Sequence, residues 1–399
     1  MDRDPSRSGG LAGAGRQYDL GAPEVRADPF PLFDELRAHD PVLDTGTGYW
    51  YVSTYEAGSR LLHDPRFGAG RGVPDSLGVT SGPLHDAMST WMMALDGAAH
   101  ERVRRLISRS FTPRAVESLR QPLQRLTDGL LDGIAERRRA DVVEDLAFPV
   151  PAEAVRLLFG VGTEEWASRV VPIIRPHDAI ASGTVDMMTQ LMEYLAEVVA
   201  RRRVEPGDDM FSAMVRPDPN GDVLDDGQLL ANALLLVTAG FETSMSLITL
   251  AILALLRHPD QCALLRAEPS LIQGAVEEVL RFEPAALSTT RCALEDVEIG
   301  GRTIPAGAHV LVPMPAVNRD PERYLEPGRF DITRAQVRPL TFGGGPHLCI
   351  GAPLARLEAE VVVGSFFQRF AQAALAPDPL EWQDANPTVR RPVTLYVEV

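Results

Sequence analysis

The chain has 399 residues, 45% of them hydrophobic and 24% charged, which suits an ordinary soluble protein and leaves open either two or three average domains or one large single-core enzyme. Its formal charge of −16 argues against nucleic acid or an anionic membrane as the main partner. All 39 basic residues are arginine, so a lysine Schiff base, a Walker-type nucleotide loop and a lysine nucleophile are excluded.

Residues 1–16 are rich in Gly, Ser and Arg with no apolar core of their own. The expectation is a disordered tail over residues 1–20, rather than a signal peptide or membrane anchor, followed by a single domain over 21–399. Residues 29–38 carry apolar side chains at helical spacing and then meet Asp40-Pro41, which predicts a short helix ending there. Tyr49-Trp50-Tyr51-Val52 reads as a strand. Residues 67–89 hold many Gly, Pro, Ser and Asp and read as a long mobile loop, either a lid or a surface excursion. Residues 95–110 form a strongly basic helix candidate. At ~100° per residue, His100 and Arg104 share one side, while Arg102, Arg105 and Arg109 cluster on nearly the opposite one.

Residues 119–143, 151–159 and 184–202 read as helices, with the breaker-rich stretch 171–183 between the last two. Met187, Met188 and Met192 fall near one face, as plain core or as adaptable lining of a substrate lid. Residues 229–256 are the most hydrophobic run and would span ~42 Å at 1.5 Å per residue. A membrane span is the rival reading. Against it, Asn232, Thr238, Glu242, Thr243, Ser244 and Ser246 put polar groups at its middle, and an acid at the bilayer centre costs ~2.5 to 3.5 kcal/mol. A helix through a large soluble core fits better. Within it Ala239, Gly240 and Thr243 share a face, which leaves room for a bulky group beside a hydroxyl, with Glu242 next to it for proton transfer. The bland alternatives are a Thr bonded back to its own helix and a Glu at a kink.

Glu278 and Arg281 are three apart on a helix predicted over 271–282, which stops before Pro284. On the surface such a pair contributes only ~0.2 to 0.5 kcal/mol, whereas a buried pair strands a charge at ~3 to 5 kcal/mol when one partner is lost. Residues 291–301 alternate and turn like a hairpin before Ile304-Pro305-Ala306-Gly307. Residues 317–321 begin an irregular meander, and 387–399 read as a terminal β excursion. Between these lies Phe342-Gly343-Gly344-Gly345-Pro346-His347-Leu348-Cys349-Ile350-Gly351. Gly343 to Pro346 must be a tight turn, and the Ala- and Leu-rich run 352–367 behind it a buried helix. Cys349 is therefore placed at a loop-to-helix junction, where unpaired N–H groups favour negative charge and lower a thiol's pKa. Glycines on both sides admit a large flat group, and His347 adds a cation. The bland reading is a structural cysteine; a phosphate loop would need a lysine. With Cys262 and Cys292 the cysteines are too few and scattered for a disulfide framework or zinc cluster, which fits a reducing cytoplasm. No two histidines stand four apart on a helix, so a zinc-protease type of site is absent.

The spacing Phe342, Gly345, His347, Cys349, Gly351 resembles the haem-binding loop of the cytochrome P-450 superfamily, the haem-thiolate monooxygenases. Ala239-Gly240-Phe241-Glu242-Thr243 resembles its oxygen-activation motif, Glu278-x-x-Arg281 its buried ion pair, and Pro327-Gly328-Arg329-Phe330 the Arg-Phe of its meander. All four stand in the family's order, and the resemblance covers nearly the whole chain from about residue 28. It implies a mainly α fold with a smaller β-rich subdomain (α+β), a triangular helical body with haem b between the long central helix and the cysteine loop. It further implies Cys349 as axial iron ligand, with Phe342, Gly343 and Gly351 shaping the loop against the haem, and His100, Arg104, Arg291 and His347 holding the propionates. Ala239, Gly240, Glu242 and Thr243 would serve oxygen activation, and Glu278, Arg281 and Arg329 would form a structural ion-pair triad. Phe241 stands where the family often has histidine, which touches the proton route.

Arg102, Arg105 and Arg109 look like the patch that meets an acidic, ferredoxin-type donor, with a solvated face as the alternative. The implied enzyme is of the soluble bacterial type, cytoplasmic and monomeric. It would use O2 and electrons from NAD(P)H, through ferredoxin and reductase, to hydroxylate or epoxidise a medium or large, largely apolar small molecule of secondary metabolism. Residues 70–91, 171–192 and 285–290 would set specificity. A peroxide-driven haem enzyme and a non-catalytic haem-binding partner subunit are the alternatives.

Overall fold

The computed structural model describes residues 10–13, 16–19, 23–69, 79–175, 184–384, 386 and 388–399. The chain forms two compact units, each assembled from separated stretches of sequence. The first comprises Met1–Gly70, Gly274–Cys349 and Pro379–Val393, the second Arg71–Gln273, Ile350–Asp378 and Thr394–Val399.

The first unit is built on a five-stranded mixed sheet in the order Val42–Asp44, Tyr49–Val52, His309–Pro313, Ser288–Ala293, Phe67–Gly68. Tyr49–Val52 lies parallel to His309–Pro313, with Trp50 opposite Val310, and the other pairings are antiparallel. Trp50, Val52, Val310 and Val312 are buried in one apolar cluster with Leu61 and Leu62 of the helix Tyr55–His63. The helix Phe30–His39 ends at Asp40, whose N–H bonds back to Leu36 O, as the Asp40-Pro41 step predicts. The stretch expected to form one hairpin divides: Ser288–Ala293 joins the large sheet, and the turn lies further on, between Val297–Ile299 and Arg302–Ile304. The cause is a competing bond, Leu294 N–H to Arg66 O, that draws the chain away after Ala293. Within the stretch expected as a tail, Gly10–Gly13 pairs antiparallel with Arg16–Asp19.

The second unit is mainly helical. Its central helix, Asp226–Arg257, starts at Asp225, whose carboxylate accepts the Gln228 N–H. The helices Thr184–Val204, Pro149–Phe159 and Ala352–Arg369 all pack on it. It is long and apolar enough to cross a membrane, yet 72% of its most apolar window is buried inside the protein. Asn232 on it, fully buried, accepts the Met92 N–H at 2.7 Å and donates to Thr90 O and Gln228 O.

Two expected elements are shorter than their apolar spacing suggests. The helix Arg120–Arg137 stops at Arg138, which takes a left-handed φ of 57°, and Arg139–Asp141 then pairs with Tyr396–Glu398. The loop expected over 67–89 closes with a helix, Pro83–Ser89, that buries Leu84 and Met88; its stretch 70–78 lies outside the described residues, as does 176–183. Met187 and Met188 are buried and Met192 half-buried on Thr184–Val204.

Asn232→Ala is expected to leave the buried Met92 N–H without its acceptor and to cost about 1–3 kcal/mol, read as a shift in the chemical-denaturation midpoint at unchanged slope.

Candidate functional site

In the first unit the cysteine loop runs from the turn Leu340–Phe342 through the turn Gly345–His347. It is a closed ring: Cys349 N–H donates to Phe342 O at 2.9 Å, Leu348 N–H to Gly345 O at 3.1 Å, and Gly343 N–H to Leu340 O at 2.7 Å. Gly343 and Gly345 hold φ of 73° and 64°, the left-handed region that glycine enters without a Cβ penalty. At Gly345 space adds to conformation, because a Cβ there would collide with the Leu62 carbonyl. The loop is thus pressed against the helix Tyr55–His63, and Cys349 is left exposed. The expected junction is looser than the spacing suggests. The helix Ala352–Arg369 has Gly351 as its N-cap, two residues past Cys349, whose own N–H is committed to Phe342.

What holds this loop is the buried pair Glu278–Arg281, both side chains at 0% exposure, joined by two bonds of 2.7 Å. The remaining Arg281 donors reach Pro327 O at 2.8 Å, Arg329 O at 3.0 Å and Asn318 O at 3.2 Å. Asn318 then accepts Leu340 N–H at 2.8 Å and donates to Thr341 Oγ1, while Thr341 donates to Leu280 O at 2.6 Å. The first residues of the loop are therefore bonded directly to the helix Ile272–Phe282.

The triad expected of Glu278, Arg281 and Arg329 needs correction. Arg329 contributes its backbone carbonyl, and its guanidinium, 59% exposed, faces Glu326 and Asp331. The second cation on Glu278 is Arg334, with Nε 3.4 Å from Oε1, and Asp331 N–H completes the carboxylate at 2.9 Å. Nothing in the spacing singled out Arg334, because it is reached only through the fold of the meander. Arg291, also in this unit, is buried on Ser288–Ala293 and donates to Thr290 O at 2.9 Å, and His347 is half-buried in its turn.

In the second unit, the middle of the central helix is the stretch where its side chains come to the surface: Ala239 is exposed, and Gly240, Glu242 and Thr243 are half-buried. Thr243 donates to Ala239 O at 2.8 Å, the back-bonded arrangement, which leaves its oxygen as an acceptor. A Cβ at Gly240 would find only Val155 at 3.7 Å, so protein packing does not require glycine there. Phe241 is 5% exposed and belongs to the core. The helix Gly97–Ser108 buries His100 at 2% exposure and half-buries Arg104.

The arginine patch on that helix is not free. Arg102 donates to Asp222, Gln228 and Val223 O, and Arg105 pairs with Asp218 and Asp222. The Arg102 guanidinium, with help from Arg105, holds the Asp222 carboxyl below the usual carboxylate range. Two of the three expected docking charges are thus matched by aspartates of a loop over 100 residues later, which no local pattern could reveal. Among the described residues, Arg109 donates to Arg216 O at 3.5 Å.

A family model described as cytochrome P-450 matches residues 172–396. The chain is 40% identical over 390 residues to the cytochrome P-450 monooxygenase PikC of Streptomyces venezuelae, covering 93% of this chain and 92% of that one. It is 37% identical over 383 residues to 6-deoxyerythronolide B hydroxylase of Saccharopolyspora erythraea, covering 90% and 93%. Its structure superposes on cytochrome P-450 CYP109Q5 from Chondromyces apiculatus with a TM-score of 0.86 at 34% identity, over 95% of this chain and 97% of that one.

Glu278→Ala or Arg281→Ala is expected to cost about 3–5 kcal/mol, whereas Arg329→Ala should stay within about 0.5 kcal/mol. Unfolding titrations of the three variants check this, and a large loss at Arg329 would restore its guanidinium to the triad.

Proposed function

The chain belongs to the cytochrome P-450 family, and we propose that it inserts one oxygen atom of O2 into a medium or large, largely apolar small molecule of bacterial secondary metabolism, by hydroxylation or epoxidation. As a family member it is a monooxygenase that carries haem b. Cys349 carries the residue assignment. A structural cysteine is buried, as Cys262 is, whereas Cys349 is presented on a glycine ring held by its own backbone bond. That exposed cysteine on its glycine ring fits a ligand to haem iron. When bound, haem supplies the redox and oxygen chemistry, and a thiolate ligand favours O–O cleavage.

In this reading the Cys349 thiolate ligates the iron, with Phe342, Gly343 and Gly351 keeping the loop flat beside it. His100, Arg104, Arg291 and His347 hold the propionates. The physical reason is that two more carboxylates enter a protein already at −16, so local cations and hydrogen bonds must offset their burial. Thr243 keeps a fixed hydroxyl orientation through Ala239 O, and its oxygen can accept and pass on a proton. Glu242, half-buried one residue before, exchanges protons with solvent. Phe241 takes no part, being a core side chain.

Electrons are assigned to NAD(P)H through a ferredoxin-type donor and its reductase in the cytoplasm. Because Arg102 and Arg105 are already paired, steering by this face rests on Arg109 and is weak. The apolar character of the specificity stretches, with Leu84, Met88, Met187 and Met188 among them, supports a largely apolar substrate. The relative that hydroxylates 6-deoxyerythronolide B supports the secondary-metabolite class.

Cys349→Ala is expected to lose both oxygenation and the red-shifted Soret band of the reduced, carbon-monoxide-treated protein; normal oxygenation by that variant would refute the ligand assignment. Thr243→Ala is expected to keep consuming NAD(P)H while product falls and peroxide accumulates. Tight coupling of cofactor use to product in that variant would count against a proton role for the hydroxyl. A spin-state screen of the purified protein against metabolite libraries identifies the substrate class.

A further inference from the structure

In the first unit one buried side chain, Arg390, ties together three stretches of chain that are far apart in sequence. Its Nη1 donates to the Glu283 carboxylate, its Nη2 to Ala27 O at 2.7 Å and its Nε to Arg26 O at 2.9 Å, and its Cζ lies 3.8 Å from the centroid of the Trp382 ring. Beside it the buried Gln383 accepts the Asn386 N–H at 3.0 Å and donates to Asn386 O at 2.9 Å and to Val389 O, while Arg26 donates to Gln383 O at 3.3 Å. Glu283 is the residue on which the helix Ile272–Phe282 ends, with its N–H bonded to Val279 O at 2.8 Å. A second buried arginine stands close to the same carboxylate. Arg319 donates to Phe282 O at 2.7 Å, and its Cζ lies 3.2 Å and 3.8 Å from the ring centroids of Phe30 and Phe282. Burial pushes the Arg319 guanidinium down to about 10, and the charge of Glu283 opposes that shift.

The chain that follows Glu283 depends on this junction. Residues 285–287 come before the strand Ser288–Ala293 and take their backbone bonds from the C-terminal stretch: Leu287 N–H donates to Thr388 O at 2.9 Å, Arg390 N–H donates to Ala285 O at 2.8 Å, and Ala286 is bridged antiparallel to Val389. Glu283 and Ala285 are buried, and so is Arg291, the residue given to a propionate above. Between these fixed ends residues 286–290 are half-buried, and their side chains are those of Ala, Leu, Ser, Thr and Thr. An extended chain advances ~3.3 Å per residue with side chains alternating in direction, so holding both ends fixes which of these five side chains points where.

We infer that Arg390 is a positioning residue for substrate selection: through Glu283 and its own backbone bond to Ala285 it sets the register of residues 286–290 relative to Arg291. The inference rests on the reading above in which residues 285–290 set specificity. A buried ion pair contributes little net stability once its desolvation is counted, and fixing a register is its best-attested use. Arginine suits the task because one planar group meets a carboxylate and two carbonyls at once while its face stacks on an indole, which an ammonium cannot reproduce. The N-terminal carbonyls of Arg26 and Ala27 thereby bear on selection without lying near the residues that select. Loss of Arg390 leaves Arg319 as a cation beside Glu283, so the carboxylate is not stranded.

The test compares wild type, Arg390→Gln and Arg390→Lys as haem-loaded proteins. Amide hydrogen exchange reads the latch itself: in Arg390→Gln the Leu287 and residue-390 amides should exchange about tenfold faster, with the amides of His309–Pro313 unchanged. Unchanged exchange at Leu287 would overturn the proposal. Soret titrations then read selection with two iron-binding probes, imidazole, which is too small to reach past the iron, and 4-phenylimidazole, whose ring must fit against the wall of the site. Arg390→Gln should bind imidazole as wild type does and 4-phenylimidazole severalfold more weakly, and Arg390→Lys, which keeps the charge but not the planar fork, should fall between the two. Equal weakening of both probes would mark a general loss of packing, and wild-type affinity for both would show that register is not passed on; either result sinks the inference. Should wild type show no Soret shift with imidazole, the haem reading fails, while the exchange measurement still judges the latch. If Arg390→Gln does not fold, Arg390→Lys decides by the same exchange and probe measurements.

Discussion

The cysteine loop depends on a buried ion pair far from it in sequence. Glu278 and Arg281 have no solvent exposure, so their desolvation must be offset by bonds inside the protein. It is offset by saturation: Arg281 reaches the carboxylate and three backbone carbonyls, and the carboxylate also accepts from Asp331 N–H and from Arg334. Those carbonyls belong to the meander, a stretch with little regular structure that cannot satisfy its own backbone. A charged group with five fixed donors can pin several such strands of chain at once, which a smaller polar residue cannot. Through Asn318 and Thr341 the same network reaches the residues that open the glycine ring, so the position of Cys349 is set by a charge pair it never touches.

The central helix solves a different problem. It must be apolar enough to be enclosed by three other helices and still present polar groups at its middle. Thr238, Thr243, Ser246 and Thr249 each donate to the carbonyl four residues back, so their hydroxyls are satisfied within the helix itself. Asn232 meets the same demand by capturing a backbone segment.

An all-arginine protein also spends many cations on its own architecture. Arg102 and Arg105 clamp the helix Gly97–Ser108 to the loop that carries Asp218 and Asp222, just before the central helix begins. A planar guanidinium suits this because it can serve a carboxylate and a carbonyl together, as Arg102 does with Asp222 and Val223. The cost is that such a face presents less net charge to a docking partner than its sequence suggests.

Much was settled by the chain itself. Local rules, apolar period and turn chemistry, located the helix ending at Asp40, the strand 49–52, the central helix and the glycine ring, because each depends on neighbours a few residues away. The spacing around Cys349 and around Thr243 marked both candidate sites for the same reason. Where the reading missed, a distant partner decided. The pairing of Arg139–Asp141 with the last strand cut a helix short, a bond from Leu294 to Arg66 moved a hairpin, and Arg334 in place of the Arg329 guanidinium took the second seat on Glu278. Sequence determines which residues want a partner; only the tertiary structure decides which partner is within reach, since burial and the saturation of charges are properties of the assembled core and not of any segment of it.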